Sequence, residues 1–150
     1  MKQLQELQPV VEACNQLMSE IKSEFVGLAI QNKIGPDIKW HYAFGNLNDK
    51  YKRITVRYGK GIAGKVISSG SPVMIQDFPN DILGKAIDYP IMLAEKLVSS
   101  YGMPLFFNGV PKGVLVVGKR IEYALTESEQ ESVRKVACSL EEMLKEYIHF

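Results

Sequence analysis

The chain has few of the residue types from which catalytic and metal centres are usually built. Its 150 residues include two cysteines, two histidines and one tryptophan. Cys14 and Cys138 stand in helical patterns near opposite ends, and neither has a partner at the spacing of a metal site or a C-x-x-C redox motif. We therefore expect each cysteine to act as a small buried apolar residue, and we expect no metal site.

Long apolar runs and an excess of one charge are also lacking. No 18 consecutive residues are apolar, so no membrane-spanning helix is predicted, and the polar N-terminus does not have the pattern of a secretory signal. Eighteen basic and 17 acidic residues leave a net charge of +1, which offers little attraction for nucleic acid. Length and composition predict a single cytoplasmic domain over residues 1–150.

Amphipathic helices are predicted at both ends of the chain, because apolar residues recur there at intervals of three and four. The two stripes are Leu4, Leu7, Val11, Cys14, Met18 and Ile21, and then Val133, Val136, Ala137, Leu140, Met143, Leu144 and Tyr147. Thr126 and Glu129 have the spacing of a capping box at the start of the second helix. Both helices suit packing on each other or on a sheet, and a homodimer through their apolar edges stays open.

Six short strands are predicted between these helices from alternation, apolar runs and turn residues. They cover residues 25–31, 38–44, 53–58, 72–76, 102–107 and 112–119, with short helices over 62–68 and 91–99. Gly35-Pro36 and Asn108-Gly109 favour tight connections between neighbouring strands. The predicted fold class is α/β, in the form of an α+β sandwich around one mostly antiparallel six-stranded sheet.

The segment 57–66, RYGKGIAGKV, carries the strongest functional signal. It runs from a strand end through glycines into a helix start, where exposed backbone N–H groups can meet a ligand directly. Aligned peptide dipoles add about half a positive charge at such a start, so the expected ligand is an anion. Pro90-Ile91-Met92 provides a second helix start, and two starts facing one cavity would hold a small anion without a charged side chain. The alternative is two ordinary capped helices in a core.

The same glycines, at positions 59, 61 and 64, also match the dinucleotide-binding pattern G-x-G-x-x-G, with Asp77 following at a suitable distance. Three features argue against that reading. The helix has only about two turns, no second mononucleotide-binding half follows, and the strands are linked as hairpins rather than wound in parallel. An anion site at the helix start does not depend on the dinucleotide reading.

Trp40 lies in an alternating strand and is the only tryptophan. Such a residue usually belongs to a core, but it can also form the flat wall of a pocket and offer its indole N–H. The neighbouring His41 is expected on the opposite, solvated side of the sheet. No G-x-S-x-G motif and no Ser, His and Asp arrangement is present, so we predict no catalytic residues. The basic cluster 48–53 is interpreted as a solvated loop or a surface for an acidic partner.

These segments, in this order, resemble the GAF domain family over essentially the whole chain. The resemblance rests on G-K-G-I-A-G-K-V followed by S-G-S-P-V, which is typical of many GAF domains. More specific are I-K-W-H-Y-A-F-G-N-L-N with Y-K-R-I, and the Y-P-I turn at 89–91. They are similar to stand-alone bacterial nitrate receptors of this family.

This resemblance implies a GAF fold with the terminal helices on one face of the sheet and the pocket helices on the other. It also implies a buried nitrate held by three main-chain amides and a tryptophan, with no cofactor. Carried over by motif, the site consists of the amides of Ile62, Ala63 and Ile91, the side chain of Trp40, and the lining residues Tyr89 and Pro90. Ile62 stands where the family pattern has leucine, a change to which amide donation is indifferent.

The implied function is a cytoplasmic nitrate sensor that acts with an oxygen-sensing histidine kinase. Without nitrate such a receptor restrains the phosphorylation of the kinase, and nitrate relieves the restraint and switches on nitrate respiration. The terminal helices or the basic segment 50–53 are the candidate surfaces for the kinase. Two alternatives remain: a GAF sensor of another small ligand, and a GAF-type methionine sulfoxide reductase using Cys14 or Cys138.

Overall fold

A six-stranded antiparallel sheet forms the centre of the computed structural model, which describes residues 7–31 and 33–147. The strands are β1 (Phe25–Gln31), β2 (Asp37–Phe44), β3 (Thr55–Arg57), β4 (Val73–Ile75), β5 (Ser99–Phe107) and β6 (Val110–Lys119). Their order across the sheet is β3-β2-β1-β6-β5-β4. The strand count and the antiparallel arrangement confirm the predicted fold class.

Helices cover the two faces of this sheet. They are α1 (Gln8–Glu20), α2 (Gly61–Ser69), α3 (Pro90–Ala94) and α4 (Glu127–Leu144). Buried residues of α1 and α4 share one apolar cluster with one face of the sheet, and buried residues of α2 and α3 share a second cluster with the other face. The chain therefore has two cores separated by the sheet, and the predicted anion-binding residues belong to the second.

The centre of the sheet follows directly from the local sequence. β1 pairs with β2 on one side and β6 on the other, and six of its seven residues are buried. A strand covered on both faces needs apolar residues at consecutive positions, as the run Phe-Val-Gly-Leu-Ala-Ile has. Asn108 and Gly109 both have positive φ and join β5 to β6, as a two-residue hairpin turn requires.

A β-bulge at His41 departs from the predicted alternation. Leu28 pairs with Tyr42 and Ala29 pairs with Trp40, so the register skips His41. The extra residue shifts the alternation of side chains, so that residues two apart face opposite sides of the sheet. Trp40 belongs to the cluster beneath α2 and α3, whereas Tyr42 belongs to the cluster beneath α1 and α4. Uninterrupted alternation would have placed both rings on one face.

Several element bounds differ from the predictions. The helix expected over 91–99 ends at Ala94, because Lys96 adopts a left-handed φ of 54° and the N–H of Leu97 donates to the carbonyl of Met92 at 2.9 Å. β5 then begins at Ser99 rather than 102. β3 contains only residues 55–57 of the predicted 53–58, since a 3-10 turn occupies Lys50–Arg53.

The terminal helices form as predicted, with two corrections. Val10 and Leu17 are buried on α1, whereas the predicted Val11 and Met18 only pack against the core from partly buried positions. Cys138 is exposed on α4, so the prediction that it is a buried apolar residue is wrong. The capping box of Thr126 and Glu129 is present in both directions. The predicted Leu4 and the second histidine, His149, lie outside the described residues.

Candidate anion-binding site

The starts of α2 and α3 lie against each other. Gly61 opens α2 with a φ of +65°, and a Cβ at this position would come within 2.9 Å of the carbonyl oxygen of Asp88 and 3.9 Å of the Cα of Tyr89. Tyr89 is the residue that precedes α3. The absence of a side chain at Gly61 therefore lets the two segments approach closely, as the convergence of two helix starts requires.

Both helix starts leave backbone donors without an intrahelical partner. Lys60 precedes α2 and Tyr89 precedes α3, and neither side chain caps its helix. Ile62 and Ala63 are in the first turn of α2, where N–H groups have no acceptor four residues back. Pro90 has no N–H, so that of Ile91 is the first that α3 offers. Ile62, Ala63 and Ile91 are all buried.

Trp40 contributes a side-chain donor to the same buried cluster. Its side chain is 5% exposed, and its indole Nε1 is buried without a hydrogen-bond partner among the described residues. The six-membered ring of Trp40 lies over Gly27, where an added Cβ would come within 2.9 Å of the Cζ3 atom of Trp40. The Trp40 and Phe25 rings also meet edge to face, with 6.5 Å between their centroids. The orientation of the ring is thus restricted, while its N–H is unused. A buried donor without an acceptor is costly, which points to an acceptor supplied by a ligand.

Tyr89 and Pro90 have supporting positions. The hydroxyl of Tyr89 donates to the carbonyl of Leu83 at 3.0 Å, and its ring packs against Phe78 at 5.8 Å. Burial is the main cause that raises the pKa of Tyr89, with Asp88 and Asp81 adding to it. Because the hydroxyl is already engaged, Tyr89 offers a ligand its ring. Pro90 is half-buried at the first position of α3.

The structure thus brings the predicted residues into one region. Trp40, Ile62, Ala63, Tyr89 and Ile91 belong to a single buried cluster, and Pro90 adjoins it. No basic side chain is buried among the described residues. A ligand there would meet backbone amides and one indole N–H in an environment that excludes water, which strengthens each hydrogen bond. Such an arrangement suits a small, weakly hydrated anion.

Two residues beside Trp40 were not anticipated. An open cavity of about 380 Å³ is lined by Trp40, His41, Tyr51 and Lys52. His41 was expected on the opposite side of the sheet, but the bulge makes it a lining residue of the same cavity as Trp40. The sequence predicts a solvated loop for Tyr51, whereas the structure shows it half-buried and packed against the buried cluster. The only local signal was an aromatic residue between two lysines.

Comparison with known proteins assigns the family. A family model described as a GAF domain matches residues 6–144. The chain belongs to the GAF domain family. No curated protein sequence matches it at a significant level.

Solved structures include similar GAF proteins. A mutated NreA protein from Staphylococcus aureus, altered in its nitrate-binding site, is 31% identical over 80% of this chain and 91% of its own, with a TM-score of 0.72. A hypothetical protein from S. aureus is 35% identical over 77% and 96% of the two chains, with a TM-score of 0.69. This GAF domain therefore resembles the nitrate-binding NreA in sequence and in structure.

More distant structures share the fold alone. A type II free methionine-R-sulfoxide reductase from Thermoplasma acidophilum is 16% identical over 94% and 93% of the two chains, with a TM-score of 0.75.

None of the helices within the described ranges is both long and apolar enough to cross a bilayer. Within residues 7–31 and 33–147, no three His, Cys, Asp or Glu side chains are grouped as metal ligands would be.

Proposed function

We propose that this GAF domain is a nitrate sensor that binds the anion between Trp40 and the starts of α2 and α3. The unpartnered, buried indole Nε1 of Trp40 carries the proposal, because Trp40 lies in the same cluster as Ile62, Ala63 and Ile91, whose amides are at the helix starts. Together these four groups are hydrogen-bond donors with no acceptor among them. The proposed ligand supplies the acceptors.

The chemistry of the cluster favours nitrate among anions. Nitrate is planar, carries a single charge spread over three oxygens and is weakly hydrated. No Lys or Arg side chain is buried among the described residues, so an anion of higher charge would lose its hydration without a compensating buried cation. The faces of Trp40 and Tyr89 suit a flat ligand, and three oxygens can accept from several donors at once. The resemblance to NreA supports the same ligand.

The signalling output that we propose is regulation of an oxygen-sensing histidine kinase. In this mechanism nitrate binds one conformation of the domain more tightly and the kinase prefers the other. Nitrate therefore releases the kinase from restraint, with a coupling free energy of about 1–3 kcal/mol, a typical size for such linkage. α3 is the element suited to report binding, because it begins beside the proposed site and ends at a buried ion pair of Glu95 with Arg120.

The first test is a thermal unfolding experiment on the purified domain. Sodium nitrate is compared with sodium chloride and sodium nitrite at matched ionic strength. Nitrate at 100 times its dissociation constant should add about 2.7 kcal/mol to the free energy of unfolding and raise the midpoint by several degrees. Equal midpoints in nitrate and chloride, in a sample first shown to be free of bound anion, would contradict the nitrate proposal. A selective rise in another anion would favour a sensor of that ligand.

The kinase link has its own test. The sensor histidine kinase of the same organism is incubated with ATP and increasing amounts of the domain, with and without nitrate. We expect the nitrate-free domain to lower autophosphorylation and nitrate to restore it. Autophosphorylation that is insensitive to the domain in both conditions would remove this kinase as the partner while leaving the binding proposal intact.

A reductase function is disfavoured by the positions of the cysteines. Cys14 is buried in the cluster beneath α1 and α4, on the far side of the sheet from Trp40, and Cys138 is exposed on α4. Burial raises the pKa of the Cys14 thiol to about 12, which keeps it protonated and poorly nucleophilic. We therefore propose that the domain acts by binding rather than by catalysis.

A further inference from the structure

The residues of the proposed site are shielded from solvent. Trp40, Ile62, Ala63, Tyr89 and Ile91 are all buried. A ligand can reach such a place only where a side chain between it and the solvent moves. The open cavity of about 380 Å³ beside Trp40 is the place to look, because Trp40 both lines this cavity and belongs to the buried cluster.

Tyr51, like Trp40, contacts both the open cavity and the buried cluster. It lines the cavity and, half-buried, also packs against the buried cluster. The two aromatic rings therefore stand at the boundary between the open cavity and the proposed site. A ligand that passes between these two rings would displace one of them.

The two rings differ in how firmly the backbone holds them. Trp40 is in β2 and pairs with Ala29 of β1, in the interior of the sheet. Tyr51 is in the four-residue 3-10 turn Lys50–Arg53, of which no residue is buried. Within the described part of the chain, the hydrogen bonds of this turn are local, such as that from the Lys52 N–H to the Asp49 carbonyl at 3.2 Å. A segment with few buried contacts opens at a lower free-energy cost than a central strand. Tyr51 is therefore the ring with the lower cost of displacement.

The cavity also has the charge that an anion entrance needs. None of the described residues that line it is acidic. Lys52 is exposed, and its Nζ lies 6.0 Å from the centre of the Tyr51 ring, so a positive charge stands at the boundary itself. A positive group at the mouth of a cleft raises the local concentration of anions.

We propose that this cavity is the entrance to the anion site, that Tyr51 is its gate, and that Lys52 attracts the anion to it. The proposal rests on the proposed function, since it supplies the route by which nitrate reaches Trp40. It assigns a kinetic role to both residues. Tyr51 limits how fast the ligand enters and leaves, and Lys52 sets the electrostatic part of the association rate.

The single tryptophan makes the gate measurable, because all tryptophan fluorescence comes from Trp40. Stopped-flow mixing with sodium nitrate gives association and dissociation rates for the wild type, Tyr51→Ala and Tyr51→Phe. We expect Tyr51→Ala to raise both rates severalfold with a smaller change in Kd, and Tyr51→Phe, which keeps the ring, to match the wild type. If the alanine variant does not fold, Tyr51→Leu, smaller than tyrosine but still apolar, replaces it. Unchanged rates in the folded variant would overturn the gate.

The role of Lys52 is tested against a matched lysine. We expect Lys52→Gln to lower the association rate and to weaken its dependence on ionic strength, with little change in dissociation. Lys135→Gln removes the same charge from an exposed position on α4, on the other face of the sheet, and should leave the rates unchanged. Equal effects of the two substitutions would show that only net charge matters and would overturn the assignment to Lys52.

A measurement without nitrate separates the gate from the identity of the ligand. Acrylamide is a neutral quencher that must contact the indole of Trp40. We expect its quenching constant to rise severalfold in Tyr51→Ala and to stay at the wild-type value in Tyr51→Phe. If nitrate fails to bind the wild type while quenching follows this pattern, the proposed function fails and the gate stands. If nitrate binds and quenching is the same in all three proteins, the gate fails and the proposed function stands.

Discussion

The carboxylate of Glu95, whose side chain is 0% exposed, forms an ion pair with the guanidinium of Arg120 at 3.1 Å. The same carboxylate oxygen accepts the N–H of Leu47 at 2.7 Å, and the Nε of Arg120 donates to the carbonyl of Glu95 at 2.9 Å. Arg120 also donates to the carbonyl of Gly45 at 3.1 Å. The end of α3 is thus bonded to the loop after β2 and to the residue that follows β6.

Replacing Arg120 by methionine should strongly destabilise the domain. Glu95 would stay buried and lose its cationic partner, and breaking a buried pair in this way costs about 3–5 kcal/mol of the free energy of unfolding. Urea unfolding at pH 7 measures the loss. Arg134→Met is the matched control, because it breaks an ion pair with Glu131 that is solvent-exposed and should cost far less. Similar losses in the two variants would contradict the structural role of the buried pair.

Replacing Trp40 by phenylalanine should weaken nitrate binding while the fold is kept. Phenylalanine retains an aromatic ring over Gly27 but removes the indole N–H. A hydrogen bond to a charged group contributes about 1.5–3 kcal/mol, so Kd should rise by about tenfold or more. Isothermal titration calorimetry gives the affinity, since this variant has no tryptophan to report fluorescence. An unchanged Kd would remove the indole from the proposed site.

Replacing Gly61 by alanine should disturb both stability and binding. The position has a left-handed φ, and the new Cβ would meet the carbonyl oxygen of Asp88 at 2.9 Å, forcing apart the starts of α2 and α3. Left-handed backbone alone costs about 1–2 kcal/mol for a residue with a Cβ. Gly59→Ala introduces the same backbone cost at a φ of +85°, where a Cβ meets nothing within 4 Å. We expect Gly59→Ala to lose stability but bind nitrate normally, and Gly61→Ala to lose both.

His41 should make the domain less stable in mild acid. Burial, and then Lys39, lower its pKa below the ordinary value of 6.5 in the folded state. The unfolded chain therefore binds the proton more readily, and the free energy of unfolding falls as the pH drops below about 6.5. Urea unfolding at pH 7.5 and 5.5 should show a smaller difference in His41→Gln than in the wild type. His149 is retained in both proteins, so its contribution cancels; identical pH dependence would contradict this account of His41.

The two cysteines should differ sharply in reactivity. The exposed thiol of Cys138 should react with a maleimide in the native protein, whereas Cys14, buried and with a pKa of about 12, should react only after unfolding. Mass spectrometry should find one adduct in buffer and two in urea. A variant with Cys14→Ala and Cys138→Ser should bind nitrate as the wild type does. Loss of binding in a folded double variant would reopen a role for the thiols.

Local patterns in the sequence were enough to predict most elements of the fold. The apolar run at Phe25–Gln31 gave the bounds of β1, and Thr126 with Glu129 gave the start of α4. The Asn108-Gly109 turn indicated the β5–β6 hairpin. Each of these signals resides in a few neighbouring residues, because backbone preference and side-chain periodicity are local properties.

Errors arose where a contact distant in sequence overrides the local pattern. The apolar residues after Pro90 favour a longer helix, but α3 ends where Lys96 turns left-handed and Glu95 is buried against Arg120. The alternation of residues 38–44 favours one face for Trp40 and Tyr42, but the bulge at His41 places them on opposite faces. Neither Arg120 nor the register against β1 can be read from the affected segment itself.

Some features of the candidate site are likewise local in sequence, and others depend on tertiary packing. The sequence by itself determined a helix start near Ile62 and another at Pro90-Ile91, the lone tryptophan in a strand, and the motifs of the GAF family. Only the tertiary structure decided that Gly61 lies against Asp88, that the indole of Trp40 is left without a partner, and that Tyr51 stands beside it. The physical reason is that glycine and proline act through their own backbone angles, whereas proximity and burial depend on how segments far apart in the chain pack together.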